Sequence, residues 1–67
     1  MTTASEIKNS LDSNHRSWEA LLEESNDISL DTHEDYENET STFYFLDGSA
    51  ASFLGYSQDI IADNSNF

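Results

Sequence analysis

"STFYFLDGSAASFLGYS", residues 41–57, decides the fold, because it reads as two strands with a turn between them. An aromatic-rich run meets Asp47-Gly48, a pair favoured in tight hairpin turns where positive φ is needed, and a second run leads away. A two-residue loop here predicts that Tyr44 faces Ala51 and Phe45 faces Ala50, large against small across the pair. It places Phe43 and Phe45 on one face of the hairpin and Tyr44, Leu46 and Phe53 on the other. Both faces are then apolar. One needs a helix as cover, and the second needs a copy of the chain, a partner, or the carboxy-terminal "DIIADNSNF" folded back over it.

The helix is found upstream. "TASEIKNSLDSNHRSWEALLEES", residues 3–25, carries Ile7, Leu11, Trp18, Leu21 and Leu22 at spacings of three, four and seven, the stripe of one amphipathic helix. Thr3 and Glu6 fit a capping box at its start, and "SND" at 25–27 ends it. The stripe thins at Asn14 and His15, and "DSN" at 12–14 has helix-start chemistry, so a break into two short helices is the alternative. Downstream, "YSQDIIAD" at 56–63 reads as a third strand or a short terminal helix. The expected architecture is α+β: an N-terminal amphipathic helix packed on a small antiparallel sheet of three to four strands, in a single acidic domain over 1–67. Its parts are a helix over about 3–25, an acidic strand or loop over 27–40, a hairpin over 41–55 and a C-terminal segment over 56–67.

Between helix and hairpin lies "DTHEDYENET", residues 31–40, with five carboxylates and no lysine or arginine. Read as one extended strand, it aligns Asp31, His33, Asp35, Glu37 and Glu39 on one face, with side chains repeating about every 6.8 Å. Leu30, Thr32, Glu34, Tyr36 and Thr40 go to the other face. The whole chain of 67 residues has fourteen acids against two bases, Lys8 and Arg16, for a formal charge of −12. Such self-repulsion with little apolar content would favour disorder, but one Trp, three Tyr and four Phe, clustered along the chain, supply a core. Cysteine is absent, so neither disulfides nor thiolate metal sites contribute. No stretch approaches the roughly 20 apolar residues of a membrane span, and no basic segment precedes an apolar run, so the expected location is the cytoplasm. Nucleic acid and anionic lipid would both repel the chain, and its expected partners are basic surfaces.

Catalysis is not expected. Paired carboxylates do acid–base work only where burial or neighbours separate their pKa values, and a chain this small leaves most of its acids exposed and alike. His15 and His33 are the only imidazoles, and Gly48 and Gly55 form no phosphate loop. "DTHEDYENETST", residues 31–42, alternates oxygen ligands as a calcium loop does. However, Tyr36 stands where that loop needs glycine and Thr42 where it needs a bidentate glutamate. No metal or cofactor is expected.

What remains is charge geometry. Double-stranded DNA is a regular array of negative charge, and proteins that bind it present lysine and arginine to it. Carboxylates at repeated spacing can occupy the same basic groove. The candidate array is Asp31, Asp35, Glu37 and Glu39, flanked by Asp27 and Glu34 and extended by Glu19, Glu23 and Glu24. Tyr36, between Asp35 and Glu37, is the candidate aromatic anchor. In size and charge alone, the chain is similar to the small acidic proteins with which phages and mobile elements block host nucleases, polymerases or defence complexes. The expectation is a non-enzymatic inhibitor that occupies a nucleic-acid-binding surface by mimicry. The alternative is an adaptor or subunit that binds a partner, or a second copy of itself, through Tyr44, Leu46 and Phe53, with the acid serving solubility.

Overall fold

The computed structural model describes residues 2–63. Two helices, α1 (Thr3–Asp12) and α2 (Trp18–Ile28), precede four strands: β1 (Asp31–Asp35), β2 (Thr40–Tyr44), β3 (Ala50–Leu54) and β4 (Asp59–Asp63). The strands form one antiparallel sheet in the order β1-β2-β3-β4, with α1 packed against β3 and β4. The fold is α+β, as the sequence indicates. Residues 59–63 of the carboxy-terminal segment are a fourth strand at the sheet edge, and the reading of 64–67 falls outside the described residues.

The single helix over 3–25 is two helices, for a reason visible at Asn14. There φ is 63°, and His15 N–H donates to the Ser10 carbonyl while Asn14 N–H donates to that of Leu11. This pair of bonds ends a helix on a left-handed residue, a conformation that asparagine tolerates better than most. "DSN" is thus a stop. Ser17 restarts the chain by accepting from Ala20 N–H at the head of α2, which runs on past "SND" to Ile28.

The cap of α1 also differs from the expected Thr3–Glu6 pair. It is a Thr2–Ser5 box, in which Ser5 N–H donates to Thr2 Oγ1 and Thr2 N–H to Ser5 Oγ. The two remaining free amides of the first turn are taken by the β2–β3 connection. Thr3 N–H donates to Asp47 Oδ2 at 2.6 Å, and Ala4 N–H donates to Ser49 Oγ at 3.1 Å. Every amide at this helix start therefore has an acceptor, two of them from more than forty residues downstream.

That use of Asp47 explains the hairpin register. Instead of a two-residue loop, residues 45–49 connect the strands: Phe45 N–H donates to the Ser49 carbonyl, Gly48 N–H to that of Phe45, and Gly48 adopts φ 89°. Tyr44 consequently faces Ala50 and Phe43 faces Ala51. The slip of one residue moves Phe53 to the face of Phe43, since side chains alternate with period two. Phe53 is 1% exposed and meets Phe43 and Trp18 edge-on at ring distances of 5.3 and 5.8 Å. Ala4 and Ile7 of α1, Leu21 of α2, Phe45 and Ile60 complete the core with them. Trp18 is tied further to the sheet by donating from Nε1 to the Asp59 carbonyl.

The face away from the core is mostly polar, with Tyr44, Ala50, Leu54 and Ile61 dispersed over it, not the second apolar face that the two-residue turn implied. Across it run three rows: Asp31–Tyr44–Ala50–Asp63, His33–Thr42–Ser52–Ile61 and Asp35–Thr40–Leu54–Asp59. Thr42 and Ser52 share a hydroxyl hydrogen bond at 3.1 Å in the middle row. An antiparallel sheet with helices on one side and a solvated other side needs no further cover.

Candidate partner-binding surface

The acidic stretch divides into a strand and a turn. β1 supplies Asp31 to Asp35, and residues 36–39 then reverse the chain into β2. Two features make that turn. Asp35 accepts from the Asn38 side chain at 2.7 Å and from its backbone N–H, and Glu39 takes φ 53°. The Asn38 bonds hold the Asp35 carboxyl below its ordinary value. The straight five-member row predicted for 31–39 is therefore shortened. Asp31, His33 and Asp35 share the solvated face, about 14 Å separating the two carboxylate positions, while Glu37 and Glu39 lie in the exposed turn. Glu34 falls on the opposite side, where it borders a recess with Glu23 and Asn26 of α2. The result is acid wrapped around one edge of the sheet.

Tyr36 stands in that turn, 84% exposed, and hydrogen bonding to the Glu34 carboxylate raises its phenol above the ordinary value. Asp27 is exposed in the last turn of α2, which carries no base although helix C-termini favour cations. Among the described residues the ion pairs are Lys8 with Asp12 and Asp59, and Arg16 with Glu24. Both basic side chains of the protein are thus engaged at the helices and β4, and no lysine or arginine pairs with the acids of β1 and its turn. No cluster of the described residues has the make-up of a metal site.

The apolar candidates separate. Phe53 belongs to the core and leaves the candidate surface. Tyr44 is 40% and Leu46 83% exposed, and with Leu30 they line a shallow, open cleft of about 620 Å³. Leu30 is fixed there because its N–H donates to the Tyr44 carbonyl just before β1 begins. The signal was present in the sequence as an apolar residue at the mouth of an acidic run. Only the pairing of β1 with β2 shows what it meets.

Asp47, on the rim of this cleft, accepts the Ser49 hydroxyl at 2.6 Å as well as the Thr3 amide. These bonds, the Ser49 hydroxyl foremost, hold its carboxyl far below the usual range. No helix of the described residues is long and apolar enough to cross a membrane. The chain matches no protein-family model, no curated protein and no solved structure.

Proposed function

We propose that the protein is a non-enzymatic inhibitor that binds a basic, nucleic-acid-binding surface of another protein in the cytoplasm, as small acidic proteins of phages and mobile elements do. The observation that supports this reading most is the acidic edge of the sheet. It holds Asp31, Glu34, Asp35, Glu37 and Glu39 with no lysine or arginine to neutralise them, and Asp27 adds charge where a helix end disfavours it. Like charges so close disfavour the compact state, and a basic partner relieves that repulsion while steering the encounter. Tyr36 supplies an exposed aromatic ring within the same patch.

The test uses charge reversal where it spares the fold. Glu34→Lys with Glu37→Lys changes two exposed positions, whereas Asp35 and Asp47 hold backbone turns and are left intact. Proteins captured from source-cell lysate at low salt are treated with nuclease, then eluted with salt. The expected partner survives nuclease, leaves with salt, and loses its own binding to duplex DNA or RNA when the acidic protein is added. The double variant should compete at least about tenfold less well. Retention at high salt, or a partner whose nucleic-acid binding is untouched, would replace mimicry with the adaptor reading.

A further inference from the structure

The apolar cleft and the acidic edge are continuous. Leu30, Tyr44 and Leu46 form the cleft walls, and Asp31 is both its rim and the first residue of β1. From there β1 runs about 14 Å to Asp35. It is one of the two edge strands of the sheet, opposite β4, and among the described residues its outer edge pairs with no other strand. A free edge is a template for a further strand, and edge charges decide which strand is admitted. A second copy is rejected here, since each copy carries −12 and would set Asp31, Glu34 and Asp35 against like charges. An extended segment rich in lysine or arginine meets the opposite situation.

We propose that this cleft and the edge of β1 form one docking track for an extended basic segment of a partner protein, whose apolar side chain seats between Leu30, Tyr44 and Leu46 while its bases lie along Asp31 to Asp35. This rests on the reading that the acidic edge meets a basic surface, and it specifies the chemistry of that surface. Charge alone gives a salt-sensitive, sequence-tolerant attraction. The cleft adds register, because it fixes one residue of the segment and so aligns the others with the carboxylates. A folded basic groove with no protruding apolar residue would leave the cleft unused.

The probes are two short synthetic peptides, each with lysines at alternate positions. One begins with a leucine, and its twin has alanine in that place. Binding to the full chain is followed by fluorescence anisotropy and by amide shifts of the labelled protein. The leucine peptide should bind about tenfold more tightly, the expected consequence of burying one aliphatic side chain. Shifts should concentrate at residues 30–35 and 44–48, and amides of β1 should gain protection from hydrogen exchange. Leu46→Ala should erase the difference between the peptides, and since Leu46 is solvent-exposed the fold survives the change. If both peptides bind equally, or shifts spread evenly over Glu19, Glu23 and Asp59, the docking track is refuted while the affinity for basic surfaces stands. If neither peptide binds at low salt, both readings fall.

Discussion

Replacing Ser49 by alanine tests whether the β2–β3 connection holds the first helix in place. Ser49 is buried, and its Oγ accepts from Ala4 N–H at 3.1 Å while donating to Asp47 Oδ1 at 2.6 Å. Ala4 is fully buried, so water cannot replace the lost acceptor. An orphaned buried amide costs about 1–3 kcal/mol, and losing an N-terminal cap costs about 0.5–2 kcal/mol. These are two views of one loss, which puts the expected cost near ~2 kcal/mol. A chain of this size has roughly 3–10 kcal/mol of total stability. Its midpoint should therefore fall by roughly 8–16 °C. A thermal melt reads this shift and a urea titration the ~2 kcal/mol behind it, both followed by Trp18 fluorescence, because Trp18 is the only tryptophan and contacts Phe53 in the core. The slope of the transition should not change. Ser57→Ala, an exposed substitution in the β3–β4 turn, is the control and should stay within about 0.5 kcal/mol of the parent. A Ser49→Ala protein equally close to the parent, with an unchanged slope, would refute the argument that this turn caps α1.

Three further outcomes follow from the same structure. Ser25 Oγ in α2 is buried with no hydrogen-bond partner, so Ser25→Ala should stabilise the protein by about 1 kcal/mol in the same titration. Asn14, with φ 63°, sits where glycine is unstrained, and Asn14→Gly should stabilise by up to about 1 kcal/mol, while Asn14→Val should shorten α1 as seen by circular dichroism. The Asp47 carboxyl is depressed from its ordinary 3.8 in the folded chain, so its contribution is complete above that pH and is lost as pH falls below it. Asp47→Asn should therefore be less stable than the parent at pH 7 and lose less than the parent between about pH 4 and pH 2, measured by thermal melts across that window.

The α+β class, strands β2 and β3, and the helical face of Ile7, Leu21 and Leu22 were legible because they depend on local periodicity. What failed depended on partners far along the chain. Asp47-Gly48 resembles a two-residue turn, but the Asp47 side chain is drawn to the start of α1, and the connection opens to five residues. That single slip carried Phe53 from a supposed binding face into the core and made the second face mostly polar. The helix break was written at Asn14 and Ser17, yet an asparagine followed by a serine reads equally as a stop or a start until the hydrogen bonds are known. In the candidate surface, the exposure of most of the acids and of Tyr36 was legible from the acidic run 31–40 itself. Their arrangement was not, because the turn at 36–39 depends on the Asp35–Asn38 bonds and a left-handed Glu39. Leu30 was missed because an isolated leucine has no meaning before its neighbours across the sheet are known.

The tie between the first helix and the β2–β3 connection also joins parts of the chain that are synthesised seconds apart. The Thr3 and Ala4 amides of α1 obtain their acceptors from Asp47 and Ser49, and Lys8 and Trp18 find Asp59 further along the chain. At ribosomal speeds of about 5–20 residues per second, roughly 3 to 11 s separate the emergence of residue 3 from that of residue 59. During that interval α1 is a ten-residue segment too short to hold a helix by itself in water. A nascent chain short of residue 59 therefore lacks these ties, and its negative charge opposes early compaction.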